Sequence, residues 1–180
     1  MKRYLTIGAA AVALAIPAAA MAAGTPTAGS LAAQSCKTQL TTLGAATFKS
    51  TYGGGANAYG KCVSKATHTA STELQSASAA CKTEQAMSDT DFATAHDGKT
   101  FNATYGTNTQ AKGKNAGANA FGKCVSTKAK ASAQQQTKTT IAAAKTCKAE
   151  LAASKTAFAT AYGSKANAFG KCVSKKTTSA

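Results

Sequence analysis

The octapeptide Asn57-Ala-Tyr-Gly-Lys-Cys-Val-Ser64 occurs three times in this chain. It returns at 119–126 and at 167–174, with phenylalanine in place of tyrosine at its third position. An eight-residue match that occurs three times is not chance, and it indicates tandem copies of one structural unit.

A second element precedes each octapeptide. It consists of a Cys-Lys pair, a phenylalanine about eleven residues later and a further ring four residues beyond that. The pairs are Cys36-Lys37, Cys81-Lys82 and Cys147-Lys148, the phenylalanines are Phe48, Phe92 and Phe158, and the further rings are Tyr52, His96 and Tyr162. Each module therefore reads as a cysteine, a Phe-x-x-x-ring segment, a glycine-containing loop and the octapeptide.

These repeats divide the chain into three modules. Module 1 covers 36–66, module 2 covers 81–128 and module 3 covers 147–180, with linkers at 67–80 and 129–146. Module 2 has 42 residues between its cysteines, against 25 and 24 in the others. The extra length predicts a surface-loop insertion at 97–118, where added residues cost little entropy.

The linkers are predicted to be long Ala/Lys-rich helices. Glycine and proline are absent from 61–97 and from 123–162, and the residues present there are good helix formers. The fold class predicted is therefore all-α, with three tandem disulfide-stapled helical modules joined by helices. Side-chain caps are expected at the helix starts, at Asn57, Asn119, Asn167, Ser88 and Ser154.

Helix length selects the disulfide pairing. Six cysteines allow 15 pairings, but Cys62 and Cys81 lie about 29 Å apart on one predicted helix, and the next such pair about 35 Å apart. A bridge needs Cα atoms within roughly 7 Å. Module-local bonds are the simplest solution: Cys36–Cys62, Cys81–Cys124 and Cys147–Cys172.

The repeated aromatic rings are expected to form the core around each bridge rather than to stack on a ligand. They are Phe48, Tyr52 and Tyr59 in module 1, Phe92, Phe101, Tyr105 and Phe121 in module 2, and Phe158, Tyr162 and Phe169 in module 3. Glycines 60, 122 and 170 in the octapeptides are expected to allow close packing of another element.

The N-terminus has the pattern of a secretory signal peptide. Lys2 and Arg3 precede an apolar run that ends in Ala20-Met21-Ala22, which is typical of an A-x-A cleavage site. The run is short and contains Pro17, which favours cleavage over a membrane anchor. We expect a signal peptide at 1–22, a flexible segment at 23–35, and a secreted or extracytoplasmic product without a transmembrane segment.

Charge indicates the class of partner. After removal of residues 1–22 the chain has 19 basic groups, all lysine, against six carboxylates. Lysine lacks the two-pronged geometry with which arginine reads bases, so sequence-specific nucleic-acid binding is disfavoured. Anionic envelope polymers or an anionic lipid surface remain as partners, and the same charge would also serve solubility alone.

Catalytic chemistry is not indicated. The sequence has no metal-binding, phosphate-loop or nucleophile motif, and we expect no enzyme, no cofactor and no metal site. Asp89, Asp91, His96 and Asp97 form the one dense polar group, for which helix capping is a simpler explanation than a cation or hydrolase site. The function predicted is a secreted basic structural or binding protein, and the alternative is a cationic membrane-active effector.

The repeated elements resemble those of uncharacterised secreted bacterial proteins in which similar two-cysteine units occur singly or in tandem. The resemblance rests on Phe-x-x-x-Tyr-Gly, as at Phe158 to Gly163, and on Asn-Ala-Phe-Gly-Lys-Cys-Val-Ser, as at 167–174. It implies a shared fold and export, and no activity.

Overall fold

The structure, a computed structural model, describes residues 26–53, 55–107 and 117–179. The predicted signal peptide at 1–22 and part of the predicted insertion, 108–116, lie outside the described residues. Within them the chain forms seven helices: α1 (Ala28–Thr51), α2 (Ala58–Gln85), α3 (Asp89–Ala95), α4 (Phe101–Tyr105), α5 (Ala120–Ala153), α6 (Lys155–Tyr162) and α7 (Ala168–Thr178). The predicted all-α class is confirmed, and no described helix is long and apolar enough to cross a membrane.

Three long helices form the centre of the fold. Cys81 near the end of α2 is bonded to Cys124 near the start of α5, and Glu73, farther back on α2, meets Gln136, farther along α5. The two helices therefore run antiparallel, and α1 packs against both. The apolar stripe of the first linker, with Ala70, Leu74 and Ala77, is buried in this bundle.

This arrangement places modules 1 and 3 side by side and module 2 at the opposite end. Leu43 of module 1 packs against the cluster that contains Phe158 and Phe169 of module 3, and α1 contacts α7. By contrast, α2 and α5 each lead away from this pair over about 30 Å before they reach module 2. The modules are thus joined by tertiary packing as well as by helical linkers.

In each module a break separates the cysteine-bearing helix from the Phe-x-x-x-ring segment. In module 1 the break is Gly44, whose positive φ of 73° within α1 is a backbone conformation that favours glycine. In modules 2 and 3 it is a capping serine: Ser88 Oγ accepts from the Asp91 N–H, and Ser154 Oγ accepts from the Ala157 N–H, both at 3.1 Å. The caps predicted at Ser88 and Ser154 are confirmed.

The side-chain caps predicted at Asn57, Asn119 and Asn167 are wrong. All three residues occupy the N-cap position, but none accepts a capping hydrogen bond through its side chain. Their backbones lie outside the extended region that capping residues adopt: Asn57 and Asn167 have φ near −95° with ψ near zero, and Asn119 is left-handed at φ 62°. Asparagine tolerates that left-handed conformation better than most residues.

The flexible segment predicted at 23–35 is also wrong from Ala28 onward. Thr27 Oγ1 accepts from the Ser30 N–H at 3.1 Å, and α1 begins there. Leu31 and Ala32 are only 2% and 1% exposed, because they lie against the α2–α5 pair. Burial of this face stabilises a helix whose small, polar residues otherwise resemble a linker.

The insertion predicted as a surface loop at 97–118 contains ordered structure. Thr100 caps α4, and Phe101 within it is buried because it joins the core beside Cys124. The Thr107 N–H donates to the Ala118 carbonyl at 3.0 Å, so these two residues of the predicted insertion are held together.

A substitution at Gly170 tests the contact between modules 1 and 3. A β-carbon at Gly170 would lie 2.9 Å from the backbone oxygen of Thr51, closer than real contacts allow. We expect Gly170→Ala to destabilise the fold by about 1–3 kcal/mol through overpacking. Gly29→Ala is the matched control, since a β-carbon there meets nothing within 4 Å and alanine is the better helix former. Urea unfolding measures both, and equal stability of the two variants would contradict the contact.

Candidate functional site: the cystine clusters and the lysine surface

Three buried disulfides hold successive helices together. Cys36–Cys62 joins α1 to α2, Cys81–Cys124 joins α2 to α5, and Cys147–Cys172 joins α5 to α7, each with a Cα–Cα distance of 6.0 Å. This is the module-local pairing expected from helix length. All six cysteines are fully buried, so these bonds are placed to staple the fold and not to exchange with thiols in solution.

Aromatic rings surround each bridge. Phe48 lies 4.9 Å from Tyr52 and Phe158 lies 4.8 Å from Tyr162 between ring centroids. Of the ten rings predicted as core, the five buried ones are Phe48, Phe92, Phe101, Phe158 and Phe169, and the four half-buried ones are Tyr52, Tyr105, Phe121 and Tyr162. These rings form an apolar environment around each disulfide.

The prediction that Tyr59 belongs to the core is wrong. Its side chain is 41% exposed, and its hydroxyl donates to the Ala33 carbonyl at 3.1 Å. A phenol needs a polar partner or water for its hydroxyl, whereas Phe169 at the equivalent position of module 3 has no such requirement and is buried.

In module 2, two segments share the role that a single Phe-x-x-x-ring segment has in the other modules. Phe92 keeps the spacing from Cys81, but His96 stacks on Phe92 at 3.9 Å. Tyr105, from the second segment, provides the hydroxyl that the tyrosine of the other modules provides. His96 thus belongs to an aromatic stack.

A charged group that sequence reasoning missed lies beside two of the bridges. In module 2, Glu84 accepts from the Tyr105 hydroxyl at 3.1 Å and pairs with Lys128 at 2.8 Å. In module 3, Glu150 accepts from the Tyr162 hydroxyl at 3.1 Å and pairs with Lys176 at 2.6 Å. We call these groups the carboxylate triads.

Each triad touches its disulfide. A carboxylate oxygen lies 3.7 Å from Cys124 Sγ in module 2 and 3.8 Å from Cys172 Sγ in module 3. A cystine sulfur carries no hydrogen, so these are packing contacts. In modules 2 and 3 a carboxylate thus packs directly against the disulfide.

The ion pairs shift the pKa values of both triad lysines and of Glu150. The hydrogen bond from Lys176 lowers the pKa of Glu150, and the hydrogen bond to Glu150 raises the pKa of Lys176. Likewise Glu84 raises the pKa of Lys128. The Glu150–Lys176 pair is therefore retained across the neutral range, and its contribution is lost as pH falls through the depressed pKa of Glu150.

Module 1 has a neutral version of the same group. Gln39 replaces the glutamate, Ala66 replaces the lysine, and the Tyr52 hydroxyl donates to Gln39 Oε1. Burial raises the pKa of Tyr52 to about 12. Gln39 is 5% exposed, whereas the Glu84 and Glu150 side chains are 19% and 39% exposed.

A cleft explains this difference. About 480 Å³ of space lies between α1, α2, α5 and α7, with Gln39 and Tyr52 on one wall and residues of α5 and α7 opposite. Because these helices cover the module 1 position, an ion pair there would lose hydration that the more exposed triads keep. Amide and hydroxyl groups line much of the cleft, together with Lys65 and with Glu73, which accepts from Gln136 Nε2.

The polar group at 89–97 is not assembled into a site. Asp91 accepts from the Ser88 hydroxyl and His96 stacks on Phe92. No three His, Cys, Asp or Glu side chains come together as a metal site in the described part of the chain. The prediction that capping explains the aspartates agrees with the Ser88–Asp91 bonds.

The remaining feature is the lysine surface. Seventeen lysines fall within the described residues, and fifteen of them are exposed. The other two, Lys128 and Lys176, are the half-buried ones and form the ion pairs found in that part of the chain. The fifteen exposed ammonium groups, which we call the lysine surface, are therefore available to external anions.

Comparison of the chain with known protein families, with curated proteins and with solved structures finds no match. Function must therefore be inferred from the lysine surface and the cystine clusters themselves. The resemblance to secreted bacterial proteins stays a prediction.

Proposed function

We propose that this chain is a secreted, non-enzymatic basic protein that binds anionic polymers of the cell envelope through its lysine surface. The observation that carries the proposal is the set of fifteen exposed lysines without a carboxylate partner among the described residues. Such a surface attracts polyanions through charge and through release of their counterions.

Export is supported by the cystine content. Three disulfides persist in oxidising compartments and are rare in the reducing cytosol. Envelope polymers are the polyanions that an exported protein meets first. Lysine suits them because its compact charge needs no fixed geometry in the partner.

The scarcity of exposed apolar side chains among the described residues favours this proposal over a membrane-active effector. Helices that insert in anionic bilayers present large apolar side chains on one exposed face. In the described residues, the large hydrophobic side chains that are exposed are Tyr59 and Met87, at 41% and 38%, and they lie in different modules. The apolar faces of the long helices are directed into the bundle, which favours adsorption on polymers over insertion.

We expect binding to be strongly salt-dependent. The mature protein with its disulfides intact should be retained on immobilised polyphosphate and polyglutamate at low salt. It should elute as ionic strength rises from about 0.1 M to 1 M, where the Debye length falls from roughly 10 Å to 3 Å. Dextran, which is neutral, should not retain it at any salt concentration.

Two results would count against the proposal. Retention that is indifferent to salt would remove its electrostatic basis. Dye release from anionic phosphatidylglycerol vesicles would favour the membrane-active alternative, since adsorption on polymers predicts none.

A further inference from the structure

Charge is distributed unequally between the two ends of the molecule. Modules 1 and 3, at 36–66 and 147–179, contain ten lysines and one carboxylate. Module 2, at 81–128, contains six lysines and four carboxylates. We call the end formed by modules 1 and 3 the paired end.

The paired end is one continuous structure. The Gly170 backbone meets the Thr51 carbonyl, and Leu43 packs on the module 3 cluster. Both modules also line the same cleft. Their lysines therefore belong to one region, while α5 carries the chain about 35 Å from Cys147 to Cys124 in module 2.

Internal ion pairs leave this contrast unchanged. The single carboxylate of the paired end, Glu150, is already bound to Lys176, which leaves nine lysines without an opposing charge. In module 2, Glu84 is bound to Lys128, and three aspartates oppose the five remaining lysines.

We propose that the paired end is the docking surface and that the protein binds a linear polyanion end-on, with module 2 directed away from it. This inference rests on the proposed function and adds an orientation to it. Charge interactions are screened over about 8–10 Å in physiological salt, so module 2, several such lengths away and with six lysines against four carboxylates, contributes little to binding.

The occupant is a flexible polymer with closely spaced phosphate or carboxylate groups. Nine mobile ammonium groups spread over five helices and the loop before α7 match a chain that follows the surface. No described large apolar side chain other than Tyr59 is exposed at this end for a protein partner or bilayer to bury. Phosphate and carboxylate share the chemistry that lysine recognises, and the two polymers in the test distinguish them.

Two sets of four substitutions test the location. The first set removes charge from the paired end, with Lys61→Gln, Lys148→Gln, Lys165→Gln and Lys171→Gln. The control set removes the same charge at or beside module 2, with Lys82→Gln, Lys99→Gln, Lys123→Gln and Lys130→Gln. All eight lysines are exposed, and Lys148 and Lys171 occupy the same repeat positions as Lys82 and Lys123.

Affinity for polyphosphate and for polyglutamate is measured across a salt series. The first set should weaken binding at least about tenfold and lower the slope of log K against log salt by about one per lysine removed. The control set should change the slope by less than one. Equal losses in both sets would overturn the docking end and leave the proposed function intact, whereas absence of wild-type binding would remove the proposed function itself.

A footprint on the unmodified protein provides an independent test. Acetylation of lysines in the polyphosphate complex, read by mass spectrometry, should be slowed at Lys61, Lys165 and Lys171 and unchanged at Lys82 and Lys99. Uniform protection, or protection confined to module 2, would overturn the orientation.

Discussion

Reduction of the three disulfides is expected to unfold this protein at room temperature. The bonds close loops with sequence separations of 26, 43 and 25 residues. Restriction of the unfolded chain then contributes about 3.5 kcal/mol for each shorter loop and about 4 kcal/mol for the longer one. Together these values are comparable with the whole unfolding free energy of an ordinary domain, about 5–15 kcal/mol.

The interior supports this expectation. The largest fully buried side chains in the described residues are Phe48, Phe92 and the six cysteines themselves. Much of the rest of the core is alanine, including Ala70, Ala129 and Ala144. Alanine removes little apolar area from water on burial, so each helix contact contributes less than a leucine-rich contact would.

Helical circular dichroism with and without dithiothreitol measures the effect. The oxidised protein should melt cooperatively, and the reduced protein should show little helix or a non-cooperative loss of it. Among single bonds, removal of Cys81–Cys124 by paired alanine substitutions should have the largest effect, a fall in Tm of about 10 °C. A reduced protein that keeps its helix content and a cooperative transition would show that the alanine-rich packing is sufficient without the bonds.

The repeats made the disulfide pairing predictable from sequence. Because 61–97 and 123–162 lack glycine and proline, the helices could be placed, and helix rise then excluded bonds within one helix. The serine caps followed from equally local chemistry at Ser88 and Ser154. These features depend on residues that are close in the chain.

Packing between distant segments could not be predicted in this way. The contact of Thr51 with Gly170 joins residues more than a hundred positions apart, and no local pattern encodes it. The flexible segment predicted at 23–35 is instead helical from Ala28, because distant residues of α2 and α5 bury one face of it. The asparagine caps failed because local sequence gives the N-cap position but not its backbone angles.

The carboxylate triads are visible in the sequence as a pattern shared by the modules, which the sequence analysis did not use. The residue three places after the first cysteine of each module is Gln39, Glu84 or Glu150, and the residue four places after the second is Ala66, Lys128 or Lys176. Glutamate occurs with lysine, and glutamine occurs with alanine. Comparison of the modules with one another at these positions would have indicated contact between them.

Gln39→Glu is expected to be among the most destabilising single substitutions in the chain. The new carboxylate would lie at a position that is 5% exposed, opposite Ala66 where the other modules have lysine. Lys65 lines the same cleft, but we expect it to lie over the Tyr52 ring, as its equivalent Lys175 lies over the Tyr162 ring 5.9 Å from its centre, rather than to pair with the new carboxylate. Glu73 on the same cleft adds repulsion, and Tyr52 provides one hydroxyl donor.

An unpaired buried charge of this kind costs roughly 3 kcal/mol or more. The pH dependence has a definite sign. Burial raises the folded-state pKa of the new carboxyl above its unfolded value of about 4.3. The variant should therefore match the parent below that value and lose stability relative to it as pH rises through the folded pKa. Urea unfolding of both proteins at pH 4 and pH 7, with disulfides intact, measures the difference.

Ala66→Lys in the Gln39→Glu background separates the ion pair from the burial. The double variant reconstructs the triad of modules 2 and 3 at the module 1 position, so it should recover part of the stability that the single substitution removes. It should not exceed the parent, since α5 and α7 cover this position and withhold the hydration that Glu84 and Glu150 retain. Full recovery would mean that the cleft does not enforce the neutral pair. No recovery would mean that lysine and glutamate occur together in the other modules without stabilising each other.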